Sequence, residues 1–66
     1  MPNSIKELVD MISERDNISV NEAQNLVEGT ALELEEAFFN GSLDLAEDIM
    51  RDNLGLEPDY LMLFIN

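Results

Sequence analysis

The fold class of this 66-residue chain is decided by one stretch, residues 19–41, which reads SVNEAQNLVEGTALELEEAFFNG. Ser19 and Glu22 form a capping box, in which a hydroxyl begins a helix and a carboxylate follows three residues later. Apolar and small residues then recur at helical spacing on one face. Asn40-Gly41 is a typical helix end, because glycine adopts the left-handed conformation at no steric cost. The stretch predicts a long helix over residues 20–39.

Gly29 lies inside this predicted helix, where glycine costs about 1 kcal/mol relative to alanine. One interpretation is a tolerated weakness or a close crossing with another helix. The alternative interpretation is a hinge.

The residues before the long helix predict a shorter one. Ser4 and Glu7 repeat the capping box. An apolar face follows at positions i, i+3, i+4 and i+7, formed by Ile5, Leu8, Val9 and Ile12. We expect a helix over about residues 4–15.

The residues after the long helix predict two further helices. Ser42 is a suitable N-cap for a third helix over about residues 43–54, and Gly55 is suited to end it. Pro58 fits the first turn of a short fourth helix over about residues 58–65. The sequence therefore predicts an all-α fold, a compact bundle of three main helices plus a short C-terminal helix, as a single helical domain over residues 1–66.

The charge of the chain restricts its function. Fifteen Asp and Glu stand against three Lys and Arg, and the formal net charge is −12. So few cations argue against direct nucleic-acid binding, because binding requires phosphate neutralisation. The longest apolar run, residues 60–65, is shorter than the ~20 residues that span a bilayer, and the N-terminus lacks a signal-peptide pattern. We expect no membrane association and a cytoplasmic location.

The chain lacks the usual residues of catalysis and zinc binding. It contains no His and no Cys, so imidazole bases, thiolate nucleophiles and the common zinc ligands are absent. Adjacent acidic pairs such as Glu47-Asp48 diverge by about 100° on a helix and do not converge on one substrate atom. No EF-hand register fits the acidic residues. We predict a non-enzymatic protein without catalytic, cofactor-binding or metal-binding residues.

The surplus carboxylates have two interpretations. They are either solvated polar faces without a site, or an anionic surface that docks on a basic groove of a protein partner, including one that normally holds nucleic acid. Rows of Glu on the long helix fit the second interpretation, but exposed helices commonly carry such rows.

Some apolar residues do not fit a single core. Leu32 and Phe39 lie seven residues apart, about 150° from the centre of the long helix's apolar face. Either the fourth helix folds back over them or they meet another chain. The run 60–65 is apolar on all sides, which indicates docking within the chain or an oligomer or partner interface. The predicted partner-binding residues are Leu32, Phe39, Tyr60, Met62, Phe64, Glu28, Glu35 and Glu36.

Residues 53–61, which read NLGLEPDYL, carry a resemblance. Together with the Ser-capped helix, the acidic middle and the Gly-terminated turn, they resemble small acidic helical proteins encoded by phages and prophages of Gram-positive bacteria. The resemblance implies a protein that binds and modulates a host protein, such as a defence nuclease or a transcription or replication factor, in the host cytoplasm. No functional residue carries over from it.

These observations predict a non-enzymatic acidic protein-binding module, phage-encoded, that modulates or inhibits a host protein by occupying a basic nucleic-acid-binding surface. The alternative is a self-associating structural or accessory protein, a homo-oligomer whose C-terminal apolar helix completes a homodimer core.

Overall fold

The computed structural model describes residues 1–65. Three α-helices follow one another along the chain: α1 (Ile5–Asp16), α2 (Val20–Phe39) and α3 (Leu43–Ile49). Helix α3 continues directly into a π-helical turn, Met50–Leu54, and a 3₁₀ helix, Pro58–Phe64, comes last. Residues 1–65 contain no strand, so the predicted all-α class is confirmed.

The predicted serine caps begin all three α-helices. Each hydroxyl accepts a hydrogen bond from the backbone N–H three residues later, at 3.2 Å for Ser4 and Glu7, 3.0 Å for Ser19 and Glu22, and 3.3 Å for Ser42 and Leu45. The two capping boxes are half formed. The carboxylate of Glu7 accepts from the backbone N–H of Asn3, and that of Glu22 accepts from the Ser19 hydroxyl.

The end of α2 is confirmed in detail. Gly41 has a φ of +69°, the left-handed conformation that glycine adopts without strain. Its N–H donates to the carbonyl of Phe38, and the N–H of Ser42 donates to the carbonyl of Ala37, both at 3.0 Å. This pair of bonds is the Schellman motif, which satisfies the last carbonyls of the helix.

The predicted third helix, residues 43–54, is wrong in its last turn. The chain leaves the α-helical pattern at Met50 and widens into a π turn. Gly55, with a φ of +66°, ends the turn, and the N–H of Leu56 reaches back six residues to the carbonyl of Met50 at 3.4 Å. Leu54 and Leu56 are both buried on either side of this glycine, so the wide turn places two leucines in the core.

The predicted fourth helix, residues 58–65, is a 3₁₀ helix that ends at Phe64. In a 3₁₀ helix side chains three residues apart lie above one another, so the apolar run falls on three edges. Leu61 and Phe64 form one edge, and Tyr60 and Leu63 form a second; both edges pack on the core. Met62 lies on the third edge and is 77% exposed, and Ile65, which follows the helix, is 55% exposed.

One core connects these elements. Helix α2 packs against α1, α3 and the π turn with one face, which holds its buried residues, and the 3₁₀ helix packs on α3 and the π turn. The radius of gyration is 11.2 Å, close to the value of about 11 Å for a compact chain of this length. The largest fully buried side chains are Leu8, Ile12, Leu34, Met50, Leu54, Val27 and Thr30.

Gly29 lies on the exposed side of α2, and the helix runs through it without a break. Within residues 1–65, a Cβ atom built at this position would meet no other atom at less than 4 Å. The interpretation as a close helix crossing is therefore wrong, and a tolerated weakness fits the surroundings.

Candidate functional site

The outward face of α2 carries two large apolar side chains in water. Phe39 is 91% exposed and Leu32 is 69% exposed, whereas Val27 and Leu34, on the opposite face of the same helix, are buried. We call Leu32 and Phe39 the α2 stripe. The 3₁₀ helix does not cover the stripe, so of the two alternatives the one in which the fourth helix folds back over it is wrong.

Carboxylates flank the α2 stripe. Glu35 and Glu36 line one shallow depression together with Leu32, Phe39 and the half-buried Phe38. The helical period places Glu35 on one side of the stripe and Glu36 on the other. Both carboxylates are exposed. The structure thus brings four of the eight predicted residues together in one place.

Glu28 lies two turns before Glu35 on the same side of α2, because seven residues complete nearly two full turns. Its carboxylate accepts a hydrogen bond of 3.0 Å from the side-chain amide of Gln24 and remains exposed. Glu28 therefore extends the acidic row along the helix.

The other three predicted residues lie in the 3₁₀ helix and form a separate group. Tyr60 and Phe64 are half buried and pack on the core, while Met62 is exposed. Tyr60 lies beside α1, where it shares a depression with Met11 and Glu14. The C-terminal run therefore docks largely within its own chain and leaves Met62 and Ile65 on the surface.

The three cations of the chain are each paired locally. Lys6 lies 3.6 Å from Asp10, Arg15 lies 2.7 Å from Asp16, and Arg51 lies 2.9 Å from Asp48 and 3.4 Å from Asp52. All of these pairs are exposed to solvent, so each contributes little to stability. None of the three cations belongs to α2, which carries five Glu and no Lys or Arg.

Two of these ion pairs change the pKa of their members. The hydrogen bond from Arg15 lowers the pKa of the Asp16 carboxyl, and the same bond raises the pKa of Arg15. The hydrogen bond to Asp48 is the main cause of a raised pKa at Arg51. Because these cations are held by their own neighbours, the acidic row on α2 keeps its charge uncompensated.

Two surface features are not among the sequence predictions. A groove between α1 and α2 has an apolar floor of Ile5, Val9, Val20 and Val27. In the π turn, the side-chain amide of Asn53 donates to Glu33 at 3.0 Å and, in a longer contact, to the buried hydroxyl of Thr30 at 3.4 Å. Ile5 and Val20, both exposed, begin the apolar faces of α1 and α2. An apolar residue at the start of each of two successive helices is the sequence signal that could have indicated the groove between them.

Two findings on metal and membrane binding refer to residues 1–65, the part of the chain that the structure describes. In that range no group of three or more His, Cys, Asp or Glu is arranged to hold a metal ion. No helix in the same range has the length and hydropathy needed to cross a bilayer. The absence of an enzymatic activity and of a cofactor stays a prediction.

Comparisons of the chain with protein-family models, with curated proteins and with solved structures found no match. The resemblance of residues 53–61 to small acidic phage proteins therefore stays a prediction.

Proposed function

We propose that this chain is a non-enzymatic acidic protein-binding module of a phage or prophage, which modulates a host protein by docking on a basic surface that otherwise binds nucleic acid. The α2 stripe provides adhesion, and the carboxylates around it provide attraction to the basic partner. The phage setting and the host cytoplasm come from the resemblance of residues 53–61.

The observation that carries the proposal is the exposure of Phe39, 91%, on a regular helix beside Leu32, 69%. Large apolar side chains that share one exposed patch with polar flanks are typical of interaction sites. Fully burying two such side chains contributes about 3–6 kcal/mol before any cost of association, counted as about 1.5–3 kcal/mol each. A Kd of 1 μM corresponds to about 8 kcal/mol, so the stripe requires additional favourable contacts.

The carboxylates are the source of those contacts. With a net charge of −12 and no cation on α2, the face around the stripe presents one sign of charge to an approaching molecule. A basic partner would be steered towards it and would associate faster, and added salt would reduce the effect. Nucleic-acid-binding surfaces are basic, which supports this class of partner.

The second candidate function is self-association through the C-terminal segment. The observation in its favour is the exposure of Met62 and Ile65. Against it, Tyr60, Leu61, Leu63 and Phe64 already pack on the core of their own chain. A homodimer through this segment would rest on two side chains, so we rank it below the first candidate.

The test is capture of a partner from a bacterial host lysate by three purified baits: the wild-type chain, the double variant Leu32→Ser/Phe39→Ser, and the control Met62→Ser. Met62 is also an exposed apolar side chain, so the control tests whether the loss of exposed apolar surface elsewhere on the molecule affects capture. We expect the wild type and the control to retain one basic protein that raised salt releases, and the double variant to lose it.

The proposal fails if the double variant captures the same protein as the wild type, or if capture does not respond to salt. Loss of capture with Met62→Ser alone would instead favour the C-terminal segment as the interface. Circular dichroism of each bait excludes unfolding as the cause, since all three positions are exposed and their substitution leaves the core unchanged.

A further inference from the structure

We infer that the part of the partner that lies on the α2 stripe is a basic amphipathic α-helix, with apolar side chains seven residues apart and Lys or Arg on both sides of them. The inference rests on the proposed function, because it specifies the chemistry that the partner presents to Leu32 and Phe39.

The spacing of the stripe indicates a helix. Leu32 and Phe39 lie seven residues apart on one continuous α-helix, a separation of about 10.5 Å at 1.5 Å per residue. A second helix laid alongside offers side chains at the same interval on one face. On a strand, side chains of one face recur at about 6.6 Å and then about 13 Å, and neither distance matches the stripe.

The charges around the stripe specify the sign of the partner. Glu28 and Glu35 are seven residues apart, as are Leu32 and Phe39, so this acidic row runs parallel to the stripe. Glu36 lies on the other side. In paired helices the positions that flank the apolar seam meet the flanking positions of the partner, where opposite charges set the choice of partner. Cations at these positions of the incoming helix would meet the carboxylates of α2.

A second copy of this chain is a poor occupant of the same face. Its α2 would bring the same carboxylates against Glu28, Glu35 and Glu36, and α2 contains no Lys or Arg to oppose them. The apolar area is also small. A buried aromatic side chain covers about 150–250 Å², whereas a stable interface buries about 800 Å² on each partner. Binding at the α2 stripe requires positive charge on the partner around the apolar contact, and α2 of a second copy does not provide that charge.

The experiment uses two synthetic peptides of Leu, Ala and Lys, each about three heptads long and identical in composition. In the patterned peptide the Leu side chains form one helical stripe with Lys on both sides, and in the scrambled peptide no stripe forms. Each is titrated by calorimetry at low salt into the wild-type chain, Phe39→Ser and the control Val20→Ser. Val20 is 51% exposed and begins the same helix, 19 residues before Phe39. Sedimentation of the chain without peptide is measured in parallel.

We expect the patterned peptide to bind the wild type and Val20→Ser equally, and at least about tenfold more tightly than the scrambled peptide binds them. Phe39→Ser should weaken the patterned peptide by about tenfold or more, the loss expected when a large apolar contact is removed. Equal affinities of the two peptides would overturn the inference, since attraction would then depend on charge alone. A dimer that forms without peptide and is lost in Phe39→Ser would also overturn it.

Failure of the inference and failure of the proposed function are distinguishable. If the lysate partner requires Leu32 and Phe39 but the patterned peptide does not displace it, the partner presents something other than a basic helix and the inference fails alone. If capture is independent of the α2 stripe, the proposed function fails, whatever the peptides do.

Discussion

The C-terminal 3₁₀ helix and the outward face of α2 both carry large apolar side chains, and the molecule treats them differently. The 3₁₀ helix turns two of its three edges towards the core; of its large apolar side chains Met62 stays in water, as does Ile65 just after the helix. The α2 stripe is left entirely on the surface, with Phe39 almost as exposed as in an unfolded chain.

The difference follows from the position of each segment. Helix α2 is central, with α1, α3 and the π turn packed on its inner side, and the part of the chain that the structure describes has no further element on its outer side. The 3₁₀ helix is peripheral and lies on α3 and the π turn, so its apolar side chains complete an existing core. A surplus of apolar residues can therefore be structural in one region and available to a partner in another.

The largest expected effect compares one leucine from each region. Leu61→Ala should lower the free energy of unfolding by about 2–5 kcal/mol, because it leaves a cavity in the core. The total for a chain of this length is only about 3–10 kcal/mol. Leu32→Ala should change it by less than about 0.5 kcal/mol. Urea denaturation measures both, and equal losses would mean that the α2 stripe is covered in solution.

The next effect compares Gly55, which ends the π turn before the 3₁₀ helix, with Gly29 on the outward side of α2. Gly55→Ala should destabilise the chain by about 1–2 kcal/mol, because a φ of +66° is strained for alanine. Steric overlap does not add to this cost, since the new Cβ would lie at an ordinary contact distance of 3.8 Å from the Arg15 side chain. Gly29→Ala should stabilise it by about 0.5–1 kcal/mol, because Gly29 is helical and faces open space. Thermal unfolding followed by circular dichroism gives both signs. If Gly29→Ala destabilises the chain instead, the result would favour the interpretation of Gly29 as a hinge.

Added salt should stabilise the fold and weaken the binding of a basic partner at the α2 stripe. The molecule measures 33 × 19 × 18 Å, and the Debye length falls from about 30 Å at 0.01 M salt to about 10 Å at 0.1 M. Added NaCl should therefore raise the midpoint of thermal unfolding by screening repulsion among the acids, while it weakens binding of a basic partner. The matched control, Glu35→Gln/Glu36→Gln, should gain less from salt. A midpoint that does not rise would show that repulsion does not limit stability.

The smallest effect concerns the Arg15–Asp16 pair. The hydrogen bond from Arg15 lowers the pKa of the Asp16 carboxyl in the folded chain. The carboxyl therefore stabilises the fold at a pH above its unfolded pKa of about 3.9, and this stabilisation is lost as the pH falls through the lower folded pKa. Both side chains are partly exposed, so the contribution is small. Asp16→Asn should be slightly less stable than the wild type at pH 7, and the difference should disappear as the pH falls through the lowered pKa of Asp16 in the folded chain.

The control for that series is Glu14→Gln, which removes one negative charge from the same helix without breaking this pair. Urea midpoints over a series of pH values give the comparison. If Glu14→Gln and Asp16→Asn behave alike at pH 7, the pair with Arg15 contributes nothing.

Local chemistry made much of the fold predictable. The bounds of α2 agree with the prediction, because the cap at Ser19 and the left-handed Gly41 satisfy the two ends of the helix within a few residues. The π turn and the 3₁₀ helix were not predictable in the same way. The apolar run 60–65 has no polar side, so it carries no period, and its geometry is selected by the core on which it packs. The π turn does have polar residues, Arg51 to Asn53. Its widening serves to bury Leu54 and Leu56, which also depends on the core.

The candidate site shows the same division. The seven-residue spacing of Leu32 and Phe39 and their acidic flanks follow from helical geometry alone, so the sequence determined the stripe, the charge around it and the all-α class. Only the tertiary structure decided that the stripe stays open while Tyr60 and Phe64 pack inwards. Coverage of an apolar side chain depends on which elements come near it, and that depends on long-range packing rather than on neighbouring residues.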